Sequence, residues 1–170
     1  MQRPSTVVTE RLLLRPLRQE DLFAYHLVMS QDAVGRQLPR GAGYSADQTQ
    51  ALLDFWLDHW TRFDFGPWAV VETATSRLIG HCGLRHHEET DETELLYALG
   101  RGSWGRGFGS EAARASVAWA FGDLRLPTLV GYVKPDNERS RAVLLGCGFT
   151  EIDRVQQWGL DLVKYRKDAP

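Results

Sequence analysis

Hydrophobic and polar positions change period several times along the chain, and each change marks an element. RLLLRPL (residues 11–17) reads as a strand closed by Pro16, and RQEDLFAYHLVMSQ then places Leu22, Phe23, His26, Leu27 and Met29 near helical spacing. SADQTQALLDFWLDHWTRF begins on Ser45, a helix-capping type, and repeats bulky residues at Leu52, Leu53, Trp56, Leu57 and Trp60, which predicts an amphipathic helix. The span between these helices, Asp32 to Tyr44, is rich in Gly and Pro and reads as an exposed loop. WAVVET, RLIGHCGLR and TELLYAL then predict an antiparallel meander, with turns at Ala74 to Ser76 and around HHEETDET. SEAARASVAWAFGDL carries one apolar stripe, Ala113, Val117, Ala120, Phe121 and Leu124, and predicts a helix. TLVGYV reads as a strand, NERSRAVLLGCGF as a short helix closed by Gly146 and Gly148, and FTEIDRV with WGLDLVKYR as a final strand pair. The predicted order is β-α-α-β-β-β-α-β-α-β-β, an α/β (α+β) arrangement.

Composition narrows the partners. A chain of 170 residues, 43% hydrophobic and 25% charged, suits one globular domain over residues 1–170. Its net charge of −2 lacks the basic face that nucleic acid requires. No run of about 18 apolar residues predicts a membrane span, and MQRPSTVVTE has no leader-like apolar stretch. Cys82 and Cys147 are far apart and form no ligand-like pair, which fits reduced thiols in a cytoplasmic protein. Oligomeric state is open between monomer and homodimer.

The segment from Gly100 to Gly109 holds five glycines, Gly100, Gly102, Gly105, Gly107 and Gly109, directly before a predicted helix. A helix amino terminus has unpartnered N–H groups and partial positive charge, and glycine lets the chain approach a phosphate closely. GRGSWG matches the dinucleotide fingerprint in letters, but its glycines do not open the helix. The acidic residue that fingerprint needs about 20 positions on would fall inside the next helix, at Trp119 to Asp123. A Walker loop needs Gly-Lys-Ser/Thr, whereas Gly105 is followed by Arg106 and Gly107.

TELLYALGRGSWGRGFGSEAARASVAWAF resembles instead the acetyl-coenzyme A motif of the GNAT superfamily of acetyltransferases, Gln/Arg-x-x-Gly-x-Gly/Ala, with Trp104, Gly107 and Gly109 in its frame. WGRGFGSEA is similar to the RimJ/RimL-like branch, named for transfer to ribosomal-protein amino termini. VKPDNERSRAVLLGCGF resembles the family's carboxy-terminal motif at Asn137, Ser140, Gly148 and Phe149, and TERLLLRPLRQEDL its first strand and helix. The likeness spans about Thr9 to Phe149. It implies a mixed, mostly antiparallel central sheet flanked by helices, acetyl-coenzyme A as co-substrate, no metal, and direct transfer to a primary amine. It implies a cofactor site at Trp104, Gly105, Arg106, Gly107, Phe108, Gly109 and Ser110. It also implies that the amides of Tyr97, Ala98 and Leu99 bind the pantetheine arm.

Acetyl transfer needs a neutral amine, a stabilised oxyanion and a leaving thiolate. Glu94, on the strand entering the loop, is the candidate base; its other reading is a solvated residue of an acidic turn. Many relatives carry a Tyr seven residues after the motif Asn as acid, but that position is Leu144 here. The branch resemblance moves the role to Ser140, which reads equally as a first-turn helix residue. Asn137 can bind pantetheine or cap the same helix. The run His86 to Glu92 reads as a solvated turn, not a metal site; Trp56 and Trp60 as core, Trp104 as a loop anchor, and both cysteines as buried hydrophobes. The acceptor, a protein amino terminus or a small-molecule amine, would be chosen by Asp32 to Tyr44 and the last strand pair. A non-catalytic acyl-coenzyme A sensor and a nucleotide-binding oxidoreductase remain as rivals.

Overall fold

The computed structural model describes residues 6–170; the rest of the segment read for a leader, residues 1–5, lies outside them. Eight strands form one sheet: β1 (Val7–Val8), β2 (Leu12–Pro16), β3 (Pro67–Glu72), β4 (Arg77–His87), β5 (Glu92–Leu99), β6 (Thr128–Val133), β7 (Thr150–Gln157) and β8 (Leu160–Asp168). Their spatial order is β1-β2-β3-β4-β5-β6-β8-β7, and every neighbouring pair is antiparallel except β5 and β6. The helices are α1 (Leu22–Met29), α2 (Asp32–Gly35), α3 (Ala46–Phe63), α4 (Phe108–Gly122) and α5 (Glu138–Gly146). The mixed, mostly antiparallel sheet with flanking helices agrees with the expected class. Among the described residues no helix is long and apolar enough to cross a membrane.

Strand alternation sends successive residues to opposite faces, and β4 displays both. His81 Nδ1 lies 2.7 Å from Tyr25 Oη on α1, whereas Cys82 Sγ lies 3.4 Å from Ser116 Oγ on α4. One face packs Tyr25, Met29, Leu53, Trp56, Ala69 and Ala98 beneath α1 and α3. The other packs Trp68, Leu84, Phe108, Ala113, Trp119 and Tyr165 beneath α4, with Trp68 and Trp119 ring centroids 4.7 Å apart. Each large side chain buried in this way contributes about 1.5–3 kcal/mol.

Helix α3 starts as its sequence predicts, with Ser45 and Gln48 forming a reciprocal capping box. Trp56 is buried, while half-buried Trp60 donates to Pro67 O at 2.8 Å. The span expected to be all loop contains α2, because Val34 inserts into the α1/α3 core, 2% exposed. Tertiary burial stabilises a single turn too short to signal itself by periodicity. Strand β1 is likewise too short to signal itself and is held by its pairing with Leu13 and Leu14. Helix α4 begins at Phe108, two residues earlier than its apolar stripe indicates, because Gly107 takes the left-handed N-cap conformation (φ 80°) and Gly109 joins the first turn.

Candidate active site

Strands β5 and β6 share one parallel rung, Glu94 with Val130. Beyond it they part, and a cleft of about 770 Å³ opens between them. Bonding alternates along an antiparallel edge, and Gly100 N–H donates to Ile79 O at 2.8 Å, so β5 backbone groups two residues apart face the same neighbour. Ala98 therefore bonds toward β4, while Tyr97 and Leu99 turn their amides toward the gap. Only two of the three expected backbone contacts thus face the cleft. Leu99 O accepts from Trp104 Nε1 at 2.8 Å, which ties the glycine loop to the strand it leaves.

The loop turns through Arg101–Ser103 and reaches α4 with Gly105 at φ 72° and Gly107 at φ 80°, where a side chain would be strained. Glu111 N–H makes the first helical bond, to Gly107 O at 3.0 Å, so the amides of Phe108, Gly109 and Ser110 have no helical acceptor. Gly105, Gly107, Phe108, Gly109 and Ser110 line the cleft. The Arg106 side chain does not: it points to Glu72, 3.0 Å away, and its guanidinium lies over Phe108. Arg11 and Glu111, which the sequence reading missed, fix the loop from outside. Arg11 Nε meets Glu111 Oε2 at 2.7 Å, and Arg11 Nη1 donates to Arg106 O at 2.8 Å. Burial raises the Glu111 carboxyl, but hydrogen bonds from Thr9 and Arg11 outweigh it and hold the group below its ordinary 4.5.

On α5, Asn137 Oδ1 accepts from Ser140 N–H at 3.2 Å, the capping geometry. Ser140 is half-buried, lines the cleft, and its carbonyl accepts from Tyr97 Oη at 3.4 Å. Burial pushes that phenol well above its ordinary value, so it keeps its proton and donates a hydrogen bond to the Ser140 carbonyl. Leu144 is 1% exposed and packs on Gly131, where an added Cβ would lie 2.8 Å from Leu144 Cδ1. Arg139 stacks on Trp104 at 3.5 Å, joining α5 to the loop.

At the other end of the cleft Glu94 is 7% exposed, which corrects its reading as a solvated turn residue. Strand β4 runs on to His87, and the tight return to Glu92 sets His87 Nε2 2.7 Å from Glu94 Oε2. His87 stands against Trp158 (5.6 Å between centroids) and Tyr132 (6.3 Å). Glu92 receives Tyr132 Oη at 2.8 Å and pairs with Lys164. His87, Tyr132 and Trp158 escaped the sequence reading because one strand and a distant hairpin bring them together. Among the described residues no group of three His, Cys, Asp or Glu is placed to hold a metal ion. Both cysteines are buried, and burial pushes the Cys82 thiol up to about 12, unsuited to nucleophilic work.

Comparison with known proteins gives this geometry a context. The family described as acetyltransferase (GNAT) domain matches residues 11–150. The Bacillus licheniformis protein p20, an uncharacterized N-acetyltransferase, is 28% identical over 145 residues, 85% of this chain and 82% of its own. A crystal structure of an acetyltransferase from Agrobacterium tumefaciens superposes with a TM-score of 0.84 at 35% identity, covering 95% of this chain and 93% of that one. The fold is also that of spermidine N-acetyltransferase from Vibrio cholerae, solved with CoA and spermine (TM-score 0.77, 18% identity, 94% and 96% coverage).

Proposed function

The chain belongs to the GNAT acetyltransferase family, in its RimJ/RimL-like branch, and from that premise we propose that residues 1–170 act as one domain that acetylates a primary amine directly. Acetyl-coenzyme A supplies an activated thioester: the amine nitrogen forms a bond to the acetyl carbon, the carbon–sulfur bond breaks, and the nitrogen's proton is balanced by one returned to the thiolate. The residues present suit this co-substrate. The free amides of Phe108, Gly109 and Ser110 match a diphosphate, and those of Tyr97 and Leu99 match the amide-bearing arm. Glu94, coupled to His87 at 2.7 Å, takes the proton from the amine. Ser140 Oγ returns a proton to the departing sulfur, and Asn137 holds the turn that carries it. Rate then comes from positioning, without a protein nucleophile.

One observation carries the reading: the strands separate immediately past Glu94, so a backbone-lined slot and a buried carboxylate share one cleft. The test is thiol release from acetyl-coenzyme A across amino-terminal peptides, polyamines and small amines, with the product's mass measured. Release with an acetylated amine supports transfer. Tight coenzyme A binding with no release from any amine favours a sensor, and calorimetric binding of NAD but not coenzyme A an oxidoreductase.

A further inference from the structure

The wall of the cleft beside Glu94 contains an arginine with no anionic partner. Arg85 stands opposite Glu94 on the β4/β5 ladder, so both side chains project from the same face. They do not pair. Glu94 leans to His87, and the Arg85 guanidinium leans over the Phe55 ring, 5.0 Å from its centroid. Arg85 Nε is buried without a hydrogen-bond acceptor, the two Nη atoms are not among the buried unpaired atoms, and among the described residues the guanidinium makes no ion pair. Around it the cleft is lined by Tyr44, Phe55, Trp56 and Leu96. The guanidinium thus lines the cleft as a half-buried cation with no counter-charge beside it. A molecule that supplies that counter-charge places its anion at the Arg85 Nη atoms while its nitrogen lies at Glu94.

We propose that the acceptor is a small amino acid with an apolar side chain, its carboxylate held by Arg85, its amine directed to Glu94, and its side chain lodged on Phe55, Trp56 and Leu96. This rests on the acetyltransferase reading above. A planar guanidinium grips a carboxylate through two parallel bonds, which fixes the nitrogen's approach. A polyamine would bring a second ammonium against Arg85, and a peptide amino terminus would offer it a neutral amide. The first repels the cation, and the second accepts a hydrogen bond from it without balancing its charge.

The test compares L-phenylalanine and L-leucine with their amides and with spermidine, following thiol release at fixed acetyl-coenzyme A. The acids are expected to exceed the amides at least tenfold in kcat/KM, chiefly through KM. Arg85→Met should collapse that ratio toward one, and Arg85→Lys should restore part of it, with thermal midpoint and coenzyme A affinity confirming that each variant folds. Calorimetry provides a second readout: L-phenylalanine should bind the native protein loaded with coenzyme A, and at least tenfold more weakly the Arg85→Met variant. Amides or spermidine used as well as the acids, or a ratio that survives Arg85→Met, would overturn the inference while leaving amine acetylation standing. No release from any amine would overturn both.

Discussion

The two ends of the cleft are built from different materials. At the glycine loop the groups offered to the cleft are backbone amides, and side chains such as Arg11, Glu111 and Trp104 hold the chain in place. At the Glu94 end the groups offered to the cleft are side chains, drawn from β4, β5, β6, α3 and the β7–β8 hairpin. The first end requires a local conformation, which a few consecutive residues dictate. The second requires several strands in one register, and a slip of one residue would turn Glu94 to the opposite face.

Substitutions at each end sharpen that contrast, the largest first. Glu94→Gln keeps shape and removes the proposed base; turnover should fall by about 10²–10³-fold with coenzyme A affinity unchanged, read by thiol release and calorimetry. Gly107→Val forces a side chain into φ 80° with its Cβ 3.3 Å from Arg11 Nη2. Coenzyme A binding should weaken about 100-fold, about 2.7 kcal/mol, in a chain that still folds. Retained affinity there would break the claim that backbone does the recognising. Ser140→Ala should lower turnover about tenfold, because a thiolate leaves readily unaided, and should spare stability since the Asn137 cap remains.

Glu111→Gln probes the loop's outer anchor and should cost about 1 kcal/mol of unfolding free energy at pH 7. The native carboxyl lies below its unfolded value, so its contribution is present above about pH 4.5 and is lost as pH falls through the folded value. Denaturation of both proteins at pH 7 and pH 3 should therefore show the gap closing in acid.

The same contrast explains what could be read in advance. Long elements announced themselves by period, and the glycine loop by its spacing next to a helix, so the order of elements and the Gly105–Ser110 bend were legible. Short α2 and β1 were not, since tertiary contacts sustain them. His86 to Glu92 has the composition of a solvated turn, yet only its middle is one. The strand pairing that hides His87 and Glu94 is a property of β4 and β5 together. Arg106 looked like a ligand because of its place in the motif, but Glu72, 34 residues earlier, draws its side chain away. Arg85 gave no signal at all, because an arginine on a strand is ordinarily solvated and its isolation depends on α3.

The single rung between Glu94 and Val130 has a mechanical meaning. Five strands on one flank and three on the other are stitched edge to edge by that rung, so the sheet is interrupted along its own middle. On the proposed reading, a long flexible guest lies in the opening, bonds to Tyr97 and Leu99, and acts as a ninth, borrowed strand. Cohesion between the two flanks then depends on the guest as well as on the polypeptide, and the loaded molecule resists unfolding more than the empty one.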